Sequence, residues 1–124
     1  MIRGVRGAIT VKEDKEPEIV SATEMLVKQM IQENNLSADQ VASIFISVTE
    51  DIKATFPAKA VRLIEGWTYV PVMCMNEIPV PGSLQKCIRV MMHVNTDTVQ
   101  EEIAHVYLKG AEVLRPDLNT SKQN

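Results

Sequence analysis

Lys86-Cys87-Ile88-Arg89-Val90-Met91-Met92-His93-Val94 decides how the chain folds, because it reads as a strand with one guanidinium at its centre. Apolar residues stand on both alternating sides of Arg89, the pattern of a strand covered on two faces. An arginine keeps its proton in such a setting, so its charge has to meet a carboxylate of the protein or an anionic ligand from outside. This stretch alone leaves both partners open.

Immediately upstream, Asn76 to Ser83 contains Pro79, Pro81 and Gly82 and reads as a turn. Trp67 to Met75 before it reads as a strand interrupted at Pro71, which suits an edge or a bulge. Hairpin pairing of that strand with the Arg89 strand places Cys74 and Glu77 beside the latter's first half. Phe56-Pro57-Ala58-Lys59-Ala60-Val61-Arg62, closed by Gly66, is framed as a two-turn helix with Lys59 and Arg62 on one face. The β-branched run from Val41 to Thr49 is a mostly buried strand, and Ser37 with Gln40 has the form of a capping box for a helical turn ahead of it.

Further out, Ile19, Ala22, Leu26 and Met30 recur at helical spacing, broadened by Thr23, Val27 and Ile31, which predicts one amphipathic helix over 17–34. Pro17 suits its first turn, Glu16 and Glu18 complement its dipole, and Asn34-Asn35 offers a left-handed stop. Met1 to Val11 alternates as a first strand, where Gly4, Gly7 and Ala8 leave room around Arg6 for a backbone or a ligand. On the other side of the Arg89 strand, Thr98 and Glu101 form a second capping-box pattern, and Val106 to Leu114 is a final strand region. After Arg115-Pro116-Asp117 the tail from Leu118 to Asn124 is polar and expected to be mobile.

The 124 residues suit one domain, over 1–117, followed by that tail. A net charge of -3 and 4% aromatic residues exclude a nucleic-acid surface, which needs a basic stripe and stacking rings. The start lacks the apolar core of a signal peptide and no run is long enough to span a membrane, so a cytoplasmic protein is expected. In that reducing setting Cys74 and Cys87, both inside apolar runs, are expected to be buried thiols rather than a disulfide. His93 and His105 are isolated and read as structural or surface residues, with no metal-ligand spacing anywhere. Nor is there a Ser/His/Asp arrangement, a reactive CxxC, a phosphate loop or a paired-carboxylate motif, so acid–base and nucleophilic chemistry have no obvious carrier. Four of the five arginines, Arg6, Arg62, Arg89 and Arg115, stand at suggestive places. They invite a small ligand with more than one carboxylate. Glu77 could pair with one of them or accept a hydrogen bond from a ligand hydroxyl.

Arg3-Gly4-Val5-Arg6-Gly7-Ala8, the Phe56 to Arg62 segment, Cys87-Ile88-Arg89-Val90-Met91-Met92 and His105-Val106-Tyr107-Leu108 resemble the motifs of the monofunctional chorismate mutases of the Bacillus type. Gly66-Trp67, Tyr69-Val70-Pro71-Val72, Cys74-Met75 and Val113-Leu114-Arg115-Pro116-Asp117 fit the same family, in order and as far as Asp117. The resemblance implies an α+β fold: a mixed five-stranded sheet packed with one long and one short helix. It also implies a homotrimer with a barrel-like core and active sites in clefts between neighbours. Arg6, Cys74, Glu77, Arg89, Tyr107, Leu114 and Arg115 then belong to one side of a cleft, with Val72 and Met73 in its wall. Phe56, Lys59 and Arg62 come from the adjoining subunit.

The implied reaction is the pericyclic rearrangement of chorismate to prephenate in phenylalanine and tyrosine biosynthesis. It needs no metal, cofactor, proton transfer or covalent intermediate, in keeping with the missing motifs. The enzyme contributes a compact bound conformer and a positive charge facing the ether oxygen. The resemblance gives that charge to Arg89. It gives the enolpyruvyl carboxylate to Arg6 and Tyr107, the ring hydroxyl to Glu77 helped by Cys74, and apolar walls to Phe56, Val72 and Leu114. Imine-deaminating proteins share the trimeric architecture and also hold a carboxylate with an arginine. Glu77, Arg6 and the Phe56 to Arg62 motif together favour the mutase. A purely structural oligomer would need Arg89 satisfied by a protein acid and no cleft.

Overall fold

The computed structural model describes residues 1–114. Arg115, the domain limit at Asp117 and the tail from Leu118 to Asn124 lie outside the described residues. In chain order the elements are β1 (Ile2–Thr10), α1 (Glu16–Asn34), β2 (Val41–Val48), α2 (Ala58–Arg62), β3 (Val72–Asn76), β4 (Cys87–Asn95) and β5 (Val106–Leu108). Short 3-10 turns lie at Ala38–Gln40, Gln100–Glu102 and Lys109–Leu114. The strands form one mixed five-stranded sheet in the order β3-β2-β4-β1-β5. β4 runs antiparallel to both neighbours, whereas β2 with β3 and β1 with β5 are parallel. This is the expected α+β architecture.

The core lies between the sheet and α1. Ile19, Leu26, Val27 and Met30 of the helix are buried against Val5, Ile9, Ile44, Ile46, Ile88 and Met92 of the three central strands. At Gly7 side chains of the helix fill the space above the strand: a Cβ there would lie 2.5 Å from Met30 Sδ and 3.0 Å from Leu26 Cδ1. The room expected beside Arg6 is thus filled, on this face, by α1. The helix stops as its asparagines suggest, with Asn35 at φ 52 and the Leu36 N–H returning to the Ile31 carbonyl at 3.0 Å. The Asn34 carboxamide then ties this end to the segment just ahead of β5 by exchanging hydrogen bonds of 2.8 Å with both the N–H and the C=O of Ala104. At the next turn Gln40 Oε1 accepts the Ser37 N–H at 2.8 Å, the return half of the expected capping box.

Several expectations need correction. The third strand starts at Val72, not Trp67. Trp67 is buried in the core, and Trp67 N–H to Ile64 O (3.1 Å) and Val70 N–H to Trp67 O (3.2 Å) close successive turns. Pro71 has no N–H to give a ladder, but its carbonyl accepts from Ile44 N–H at 2.9 Å, so pairing begins just after it. β3 makes no hairpin with β4, because β2 lies between them. β5 ends at Leu108, since Lys109 takes φ 54 and the chain continues as a 3-10 turn. Thr98 caps nothing: its hydroxyl meets Thr96 Oγ1 at 3.1 Å and the turn begins at Gln100. α2 spans only five residues.

The most consequential correction concerns β4. Ile88, Val90, Met92 and Val94 are buried on the helix side, whereas Arg89, Met91 and His93 on the opposite side are half-buried. At one end of this second face Ala8, Cys87, Tyr107 and Ala111 form a small core of their own, with Leu84 and Leu114 packed on it. The rest of the face, with Phe45, Met73 and Met75, stays open, and Met73 is 60% exposed. Among the described residues no helix is long and apolar enough to cross a membrane.

Overpacking a filled site costs ~1–3 kcal/mol, so Gly7→Val should lower stability by about that much in urea unfolding at fixed protein concentration. Adding Met30→Ala, which removes the obstructing sulfur, should recover part of the loss relative to Met30→Ala alone. A double variant showing strictly additive losses would rule out contact at this position.

Candidate active site

Strand register sets the site. Ser47 of β2 is directly opposite Arg89 of β4, Ala8 of β1 is opposite Arg89 on its other side, and Tyr107 of β5 is opposite Ala8. Cross-strand partners share a face. Ser47, Arg89, Ala8 and Tyr107 therefore form one row across four strands, and the short Ala8 leaves a gap between the guanidinium and the phenol. Arg6, two residues from Ala8 along β1, shares that face. Glu77 follows β3 directly, held by its N–H to the Val48 carbonyl at 2.9 Å. Its Oε1 lies 3.5 Å from Arg89 Nη1, and its Oε2 accepts the Ser47 hydroxyl.

Of the two partners left open for Arg89, a protein carboxylate is present, and an open hollow adjoins the guanidinium. The contact to Glu77 is long, and the Arg89 and Glu77 side chains are 43% and 24% exposed. One fork position is loosely engaged, while a guanidinium has five N–H donors to place. The remainder face a depression of about 320 Å³ lined by Arg6, Phe45, Ser47, Glu77, Arg89 and Tyr107. Among the described residues Arg6 has no carboxylate partner. Tyr107 is 4% exposed, and its buried hydroxyl has no hydrogen-bond partner among the described residues. A smaller hollow of about 220 Å³ adjoins this one and brings Leu114 to Arg89 and Glu77.

The remaining predicted residues lie elsewhere. Phe56, Lys59 and Cys74 line a separate depression of about 530 Å³ with Glu16, Thr55 and Asn76. Within one chain Cys74 thus accompanies Phe56 and Lys59, and not Arg89 as the expected grouping had it. Phe56 is 73% exposed and Arg62 is exposed on α2. Val72 packs on the core from β3, and Met73 points to the open face. Both cysteines are free thiols, Cys87 buried as expected but Cys74 only half-buried. Burial pushes the Cys87 thiol up to about 11. His93 and His105 have structural engagements: His93 Nδ1 is 3.2 Å from Ser43 Oγ with its ring edge-on to Phe45, and His105 Nδ1 accepts the Arg6 N–H at 2.9 Å.

Sequence reasoning missed the residues that steady these groups. Asp14 Oδ1 accepts the N–H groups of both Lys53 and Ala54 at 2.9 Å, pinning the loop that leads to Phe56. Glu16 accepts the Thr55 hydroxyl at 2.9 Å and pairs with the Lys59 ammonium, a contact invisible when Glu16 is read only as a helix-dipole acid. Ser47 gave no signal beyond being a hydroxyl in an apolar strand.

Two arginines, a carboxylate and a buried phenol border one hollow, a donor set that suits a small anion carrying carboxylates. The profile of the family described as Chorismate mutase type I matches residues 2–118. Chorismate mutase AroH of Bacillus subtilis (strain 168) is 53% identical over 122 residues, 98% of this chain and 96% of that protein. Chorismate mutase AroH of Thermus thermophilus is 46% identical over 123 residues, covering 98% and 100% respectively. The solved structure of a chorismate mutase from Clostridium thermocellum superposes with a TM-score of 0.86 at 55% identity, over 89% of this chain and 97% of that one. The chain belongs to the type I chorismate mutases, isomerases of aromatic amino acid biosynthesis.

Hydrogen bonding from Lys59, then from Thr55, then the Lys59 charge hold the Glu16 carboxyl below its ordinary 4.5. A depressed carboxylate stabilises the fold above the unfolded value, and that contribution is lost as pH falls through the lower folded value. The Glu16 carboxyl should therefore titrate by NMR with a midpoint below 4.5 and move back toward it in Lys59→Met. An unchanged midpoint in the variant would show that the pair does not persist in solution.

Proposed function

We propose that this chorismate mutase converts chorismate to prephenate in clefts shared between the subunits of a homotrimer. Each cleft combines the Arg6, Glu77, Arg89, Tyr107 and Leu114 surface of one chain with Phe56, Lys59 and Arg62 of its neighbour. Arg115 joins the first group, and Val72, Met73 and Cys74 contribute to the wall. The observation that carries this reading is that one chain holds Arg6, Glu77, Arg89 and Tyr107 at one open hollow but Phe56 and Lys59 at another. The uncovered apolar patch of Phe45, Met73 and Met75 supports association, since exposed apolar surface of this kind favours burial against another copy and would form the barrel-like core. The free thiols of Cys74 and Cys87 suit the reducing cytoplasm.

The chemistry follows from what these groups can do. Chorismate must be held folded so that the enolpyruvyl carbon meets the ring, and two carboxylates give the protein its handles. Arg6 and the Tyr107 hydroxyl hold the enolpyruvyl carboxylate. The phenol then gains the partner it lacks, relieving a penalty of ~1–3 kcal/mol for a buried polar group left unpaired. Glu77 accepts from the ring hydroxyl and so orients the ring. Arg89 directs its remaining N–H donors at the ether oxygen, which gains negative charge as the C–O bond breaks; this is an interaction stronger in the transition state than in the ground state. Lys59 and Arg62 close the cleft over the second carboxylate while Phe56 and Leu114 exclude water. No step moves a proton.

Arg89→Ala should lower turnover by roughly 100- to 1000-fold or more, the usual loss for one preorganised donor to a developing oxyanion. Arg89→Lys keeps the charge without the fork and should fall between that variant and the native enzyme. Loss of chorismate absorbance, with prephenate confirmed as product, measures both. A folded Arg89→Ala enzyme of near-normal turnover would defeat the assignment.

The shared cleft is tested by mixing. Arg6→Ala and Arg62→Ala chains, each nearly inactive alone, should regain activity after joint dissociation and reassociation, because some clefts then carry neither change. Mixed trimers without recovery would show that both residues serve the same chain's site.

A further inference from the structure

We infer that Ser47 is a positioning residue for the rearrangement, holding the Glu77 carboxylate in the orientation that accepts the ring hydroxyl; the inference rests on the role given to Glu77 above. Glu77 is not inside a strand. It follows β3 at the mouth of a loop rich in proline, and its N–H bond to Val48 holds its backbone. Its side chain spans β2 to reach Arg89, and on that path stands Ser47, directly opposite Arg89 in the sheet and facing the same hollow. The two carboxylate oxygens are divided: Oε2 takes the Ser47 hydroxyl, and Oε1 lies 3.5 Å from Arg89 Nη1.

That division has a chemical use. Arg89 alone could draw the carboxylate into a bidentate pair, the arrangement guanidinium and carboxylate prefer. Such a pair would take two fork donors away from substrate. A neutral hydroxyl on the far oxygen holds the carboxylate plane turned away from it. The hydroxyl adds no charge, so both oxygens keep free lone pairs for a ligand donor and Arg89 keeps its other N–H groups. Serine is small enough to leave the hollow open between Glu77 and Tyr107, where a longer donor would fill it.

The test is a double-mutant cycle on the intact enzyme. Ser47→Ala should lower kcat/KM by roughly 10-fold or more, as expected for a lost hydrogen bond to a charged group, and Ser47→Thr, which keeps the hydroxyl, should restore most of it. In a Glu77→Ala background Ser47→Ala should add less than about 2-fold, because nothing remains for it to hold. The same four proteins are compared by calorimetry for affinity toward a rigid dicarboxylate analogue of the transition state, which needs no turnover, and circular dichroism confirms their folding. Near-normal activity and affinity of Ser47→Ala, or equal losses with and without Glu77, would overturn the inference while leaving Glu77 in the site. Normal turnover of Glu77→Ala would instead remove Glu77 from the reaction and this inference with it.

Discussion

Arg89 carries a charge that no environment inside the protein can remove, and much of the structure follows from where that charge has been put. β4 is the middle strand of the sheet, and its helix-facing residues Ile88, Val90 and Met92 seal one side completely. Turned to the other face, the guanidinium meets one carboxylate at 3.5 Å and a hollow. A fully closed ion pair would make it a structural residue with nothing to offer a substrate. An unpaired charge on a covered face would cost about 3–5 kcal/mol, a large share of the stability of a domain of this size. The loose contact with Glu77 lies between these extremes, and it leaves donors free on a side chain rooted in a buried strand. Fixed donors need no rearrangement when charge develops on the substrate.

Much of the fold is legible from local pattern. Ile19, Leu26 and Met30 announce α1, Asn35 ends it, and alternation marks β1 and β4 to within two residues. The errors share a cause: periodicity reports what a residue packs against, not which chain supplies the packing. Met91 is apolar on the face away from α1, so β4 looks covered on two sides when one of them is open within the chain. Trp67 and Val70 have strand-like character, yet the tryptophan is buried from a turn and the ladder waits for Pro71 to pass. The mistaken β3–β4 hairpin reflects the usual adjacency of consecutive strands, which β2 interrupts here.

The site was less legible than the fold. Arg6 and Arg89 stand out because charges are rare in strands, but their meeting with Tyr107 depends on a parallel pairing between β1 and β5 that no local pattern announces. Residue chemistry alone could not choose between a structural and a ligand-binding role for Glu77. Asp14, Glu16 and Ser47 act through hydrogen bonds to loops and side chains far along the chain, so nothing around them in sequence marks them. What resemblance to a family supplied was the grouping, and for Cys74 the single chain groups differently, beside Phe56 and Lys59.

The strap from Asp14 and Glu16 to the Lys53–Lys59 segment has a mechanical consequence. It fixes Phe56 and Lys59 to the body of their own chain, so in a shared cleft they cannot follow the substrate as a loose flap would. In the proposed shared cleft, closure around a ligand would be a movement of one subunit against another. A ligand held from both sides acts as a cross-link, and by mass action whatever it gains from the second chain it returns as tighter assembly. In that proposed assembly, affinity for substrate and affinity between subunits would be two readings of the same free energy.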